Sequence, residues 1–93
     1  MVTFFIVAKD AADALERRHK VRDQHLREIE SHVKAKRVLM GGAIMDDEGR
    51  VIGSGLIAEF SSRELLDEFL QSDIYTREGV WESFEIYPFK RAV

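Results

Sequence analysis

Apolar and polar positions change their rhythm several times along the chain, and each change marks an element. Residues 2–9, VTFFIVAK, are dense in β-branched and aromatic side chains and predict a strand. Residues 10–36 contain no glycine or proline, and Leu15, His19, Arg22, Leu26, Ile29 and Val33 recur at helical spacing, which predicts one long helix. Residues 37–45, RVLMGGAIM, read as a second strand. Asp46-Asp47-Glu48-Gly49 reads as a hairpin turn, and residues 51–60 as the returning strand. Ser61-Ser62-Arg63-Glu64 offers a serine N-cap with an acid behind it, and LLDEFL then predicts a second amphipathic helix. SDIYTREGVW has no clear period. A final strand covers roughly residues 82–90.

The order β-α-β-β-α-β predicts an α+β fold of the ferredoxin-like kind. Its four-stranded antiparallel sheet would have the order 4-1-3-2 and carry both helices on one face. A sheet with its other face in water alternates apolar with polar residues. These strands do not. Phe4, Ile6 and Ala8 lie on one face of the first strand and Phe5 and Val7 on the other. The second strand has Val38, Leu39 and Met40, and the last sets Phe84 and Ile86 against Tyr87 and Phe89. A face of that kind left in water wastes several kcal/mol at ~25 cal/mol per Å² and invites aggregation. A second copy of the sheet is the economical cover, so the pattern predicts an obligate homodimer.

Composition narrows the class further. With 93 residues, 45% hydrophobic and 33% charged, the chain is expected to form one small domain over residues 1–93. It has no cysteine, which removes disulfides, thiolate nucleophiles and most structural zinc. A net charge of −3 argues against a nucleic-acid partner. No apolar run is long enough to cross a membrane, and no targeting segment is visible, so the expected location is the cytoplasm.

Candidate chemistry is concentrated in two places. His25, in VRDQHLREIESH, borders the apolar stripe of the long helix, where a half-buried imidazole is poised for acid–base work. Packing as a boundary histidine is the competing explanation. Arg22 falls on the stripe itself and would either extend its head to solvent or pair with an anion such as a substrate carboxylate. His19 and His32 are expected on the solvent side, and no pair of histidines has the helical chelate spacing of a zinc site. Arg17-Arg18-His19-Lys20 reads as a solvated basic face. Asp73 opens the irregular stretch and could serve a site or cap the short turn behind it. Asp46, Asp47 and Glu48 do not match a calcium loop. Gly41-Gly42 and Gly53 with Gly55 sit inside strands and suggest room left beside a ligand.

Taken together, VRDQHL at 21–26, RVLMGG at 37–42, AEFSSRELLDEFL, SDIY at 72–75 and EIYPFK at 85–90 resemble the YciI-like family, the YCII-related domain of the dimeric α+β barrel superfamily. The resemblance runs through nearly the whole chain. It implies that His25 and Asp73 form the active-site pair, with Arg22 and Tyr75 beside them. Ile74 and Ala43 stand where the family often has proline. Asp23 stands where a proline often restarts the helix, which implies a break near Val21 or Arg22. The residues themselves, with no cysteine, no chelate spacing and no glycine-rich phosphate loop before a helix, predict no metal and no organic cofactor. The resemblance further implies an enzyme of the lyase or isomerase type. It would act on a small cyclic or aromatic compound through His25 and Asp73, with Arg22, Tyr75, Gly41 and Gly42 binding the substrate. A non-catalytic ligand-binding or regulatory module of the same fold is the alternative. RNA binding through the sheet is rejected, because residues 53–60 offer only Phe60 as a stacking aromatic.

Overall fold

Along β1 (Val2–Asp10) the even positions from Phe4 onward are buried, and the strand lies inside the sheet, paired on both sides. The computed structural model describes residues 1–93. After β1 come α1 (Leu15–Lys34), β2 (Val38–Met45), β3 (Val51–Phe60), α2 (Arg63–Ser72), the single-turn α3 (Ile74–Arg77) and β4 (Trp81–Pro88). The antiparallel sheet runs β2-β3-β1-β4, the expected 4-1-3-2 order read from its other edge. The fold is therefore α+β and ferredoxin-like, with the core between the helices and one face of the sheet.

Local chemistry explains the joints. The β2–β3 hairpin turns at Gly49, whose φ of 81° suits a residue without Cβ. The Asp46 carboxylate there accepts from Glu48 N at 2.9 Å and Arg50 N at 3.0 Å. Ser62 caps α2 by accepting from Leu65 N at 3.2 Å, as the serine-acid pattern predicts.

The long helix departs from expectation in three respects. Asp10 ends β1 opposite Trp81 instead of opening the helix, and α1 begins only at Leu15 after a turn. The helix also runs unbroken through Val21, Arg22 and Asp23, because aspartate keeps the backbone N–H that a proline would remove. Finally, the stripe is rotated. Arg18, Val21, His25 and Ile29 are the buried line, while Arg22 and His19 are exposed. Leu26 and Val33, also exposed, face a cavity between helix and sheet. At its far end α1 stops with Lys36 at φ 61°, where Lys36 N donates to Val33 O and Arg37 N to His32 O. That is a Schellman ending with lysine in the place glycine usually takes. The last strand starts one residue early, at Trp81, and ends at Pro88, although Phe89 N still donates to Thr3 O at 2.8 Å.

The opposite sheet face carries no helix. Met40 pairs with Ile57, Ile57 with Phe5 and Phe5 with Tyr87, so an apolar row crosses all four strands. Phe89 adds its ring edge-on to Phe5 at 5.9 Å. Met40, Phe5, Tyr87 and Phe89 are all exposed. No helix is long and apolar enough to cross a membrane.

Candidate functional site

His25 reaches its place because α1 turns its Arg18–Val21–His25–Ile29 line toward the sheet. Asp73 reaches its place because it joins α2 to α3. Its extended backbone ends one helix, and its side chain caps the next by accepting from Tyr75 N at 2.9 Å. The two side chains meet at 2.8 Å, His25 Nδ1 to Asp73 Oδ1, with both buried. Arg77 and Glu28, paired at 3.0 Å, tie α3 to α1 beside them. The imidazole stacks on the Tyr75 ring at 3.9 Å and 5°, and Trp81 presents its edge at 5.7 Å. With Nδ1 held by the carboxylate, Nε2 is the ring nitrogen left for other partners.

Sequence reasoning missed a second polar cluster on the same helix face. Arg18, expected on a solvated basic face, is buried. Its Nε donates to Asp10 Oδ2 at 2.9 Å, and its Nη2 to Gly53 O at 3.1 Å and Ser54 Oγ at 2.6 Å. Trp81 Nε1 donates to the same Ser54 Oγ at 3.1 Å, and the guanidinium lies over the Tyr75 ring at 4.8 Å. Removing either partner of such a buried ion pair leaves an uncompensated charge, at a cost of roughly 3–5 kcal/mol. Asp10 Oδ1 is buried without a hydrogen-bond partner. One signal could have found Arg18. It precedes His25 by the same two-turn step that separates His25 from His32, so all three share a face.

Both clusters open on one cavity of about 270 Å³ between α1 and the sheet. Arg18, His25, Ser54, Tyr75 and Trp81 line one side, and Gly41 and Gly42 lie on the wall formed by β2. A Cβ on Gly41 would come within 2.9 Å of Leu56 Cδ2, whereas one on Gly42 would meet nothing within 4 Å. Arg22 also lines the cavity, as an exposed residue instead of a buried member of the stripe. Burial pushes the Tyr75 phenol above its ordinary value, with the Arg18 and Arg22 charges pulling the other way, so the hydroxyl is a donor at neutral pH.

The other histidines separate. His19 is exposed as expected. His32 is half-buried instead, because the two-turn step from His25 brings it against Phe69, with ring centroids 4.7 Å apart. Its Nδ1 accepts from Arg37 Nε at 3.0 Å. Burial, then the Arg37 charge, holds its pKa below the ordinary imidazole value, with Asp73 opposing.

Comparison with known proteins agrees with this architecture. A family model described as the YCII-related domain matches residues 2–90. Protein YciI of Escherichia coli O6:H1 is 35% identical over 94 residues, covering 95% of this chain and 96% of that protein. Fusaric acid biosynthesis protein 2 of Gibberella fujikuroi is 30% identical over 95 residues, covering 94% and 91%. Among solved structures, 5-chloro-2-hydroxyhydroquinone dehydrochlorinase (TftG) from Burkholderia phenoliruptrix AC1100, in complex with 2,5-dihydroxybenzoquinone, is similar with a TM-score of 0.85. Identity there is 27%, over 97% of this chain and 95% of that one.

Proposed function

This chain belongs to the YCII-related domain family, and on that premise we propose that it is a cytoplasmic enzyme moving a proton on a small cyclic or aromatic compound. The carrying observation is the 2.8 Å contact between His25 Nδ1 and Asp73 Oδ1 at the wall of the cavity. A carboxylate that accepts Nδ1–H holds the imidazole in one orientation and in the tautomer whose Nε2 is a base. Tyr75, stacked on the ring, restricts its rotation further. The likeness to a dehydrochlorinase supports a lyase-type reaction. In such a step Nε2 takes a proton from the substrate, the freed electron pair forms the new π bond, and halide leaves with the carbon–halogen pair. The atoms and electrons balance without an external oxidant. Arg22 and Tyr75 bind the substrate, while Gly41 and Gly42 keep the wall free of side chains.

One observation favours a second reading, a binding module without catalysis. Asp73 is also the cap of α3, so its contact with His25 has a structural use of its own. A panel of chlorinated hydroxyhydroquinones separates the readings by halide release, together with titration of 2,5-dihydroxybenzoquinone. We expect release by the wild type, a fall of about 10²-fold or more in His25→Ala, and retained binding. Full release by folded His25→Ala overturns the proposal. Binding with no turnover across the panel selects the module.

A further inference from the structure

The cavity wall includes two arginines and no carboxylate among its lining residues. The acid that balances Arg18 is Asp10, which lies outside that wall, so the cavity meets the positive side of the pair. Arg18 uses Nε on Asp10 and Nη2 on Gly53 O and Ser54 Oγ, which leaves Nη1 with no partner in the chain. The Arg18 side chain is only 9% exposed. Ser54 Oγ receives both Arg18 Nη2 and Trp81 Nε1. Two acceptances use both lone pairs of a hydroxyl, so its own hydrogen points in a third direction as a donor. What these two residues leave free are donors only, and both residues line the cavity that His25 also lines.

We propose that Arg18 Nη1 and the Ser54 hydroxyl together form an oxyanion receiver, so the ligand of this cavity is a ring compound carrying an ionised oxygen, a phenolate, enolate or carboxylate. The inference rests on the cavity being the substrate site and names the substrate class that it takes. Asp10, Gly53 and Tyr75 fix the guanidinium in advance, so binding an anion requires no reorganisation of the arginine. In this arrangement the receiver anchors the charged oxygen, and His25 Nε2 meets a different atom of the same ring.

Benzoate and benzamide test the receiver, because they share size and shape and differ in charge. Trp81, the one tryptophan of the chain and a lining residue, reports binding by its fluorescence. We expect benzoate to bind at least about tenfold more tightly than benzamide, in wild type and in His25→Ala alike. Ser54→Ala should cut that preference several-fold. Arg18→Gln strands a buried Asp10, so the double variant Asp10→Asn/Arg18→Gln carries the same test without the unpaired charge and should lose the preference. Equal affinity of the wild type for both probes overturns the proposal, as does full preference in the folded double variant. Turnover that depends on His25, seen without any benzoate preference, sinks the receiver alone and leaves the acid–base reading standing.

Discussion

Asp73 Oδ1 accepts two hydrogen bonds, from His25 Nδ1 and from Tyr75 N, so one atom serves both the proposed chemistry and the α3 cap. The duties come apart by substitution. Asp73→Asn keeps an oxygen acceptor and removes the charge that stabilises an imidazolium, so kcat should fall more than KM rises while the melting temperature stays near wild type. Asp73→Ala removes the cap as well, and thermal unfolding should show a further loss of about 1 kcal/mol. Unchanged kcat in folded Asp73→Asn would leave the residue as a cap only. His32 supplies a pH prediction. Its folded pKa is lowered, so the unfolded chain binds the extra proton first. Its contribution is therefore intact above the ordinary imidazole value of 6.5 and disappears as pH falls through the lower folded value. His32→Gln should flatten the melting temperature across that acidic window, and an unchanged slope would contradict this. At this scale the motif resemblance points to His25, Asp73, Arg22 and Tyr75, and all four lie at or beside the cavity. Arg18 is legible only through its two-turn step from His25, and Ser54 is not legible in the sequence at all. A basic run looks solvated until its phase is known, and a serine in a strand carries no signal until a guanidinium reaches it.

Along α1 the period is readable and the phase is not. Spacing by threes and fours is satisfied by more than one line of residues on the same helix. The sheet and the loop beside it choose among them by what they offer: Asp10 for Arg18, and Asp73 for His25. Leu26 and Val33 look like core from their spacing, yet they line the cavity that the alternative line leaves open. The strand boundaries and the hairpin are legible because Gly49 and the apolar runs constrain them locally. The end of α1 gives an element-scale prediction. Lys36 holds φ 61°, a conformation that costs an L-residue about 1–2 kcal/mol. Lys36→Gly should therefore stabilise the chain, by roughly 0.5–1 kcal/mol after the greater unfolded-state freedom of glycine is counted. Chemical denaturation measures it, and a destabilised variant would mean that the lysine side chain contributes more than its backbone strain costs.

For the whole molecule the uncovered sheet face is decisive. The row Met40, Ile57, Phe5 and Tyr87, with Phe89 at its edge, is an uncovered apolar face, and we propose a second copy of the same face as its cover. Sedimentation at micromolar concentration is expected to give a dimer. Phe89→Glu should dissociate or unfold it, and a well-folded wild-type monomer would refute the expectation. β1 lies between β3 and β4, so Phe4 pairs with Ala58 on one side and Pro88 on the other. During synthesis VTFFIVA emerges before either neighbour and must wait for both β3 and β4 before its backbone is satisfied. The central strand of the finished molecule is thus an aggregation-prone segment of the nascent one. A chain released after Phe60 should therefore be less soluble than one released after Pro88, because only the second carries both partners of β1.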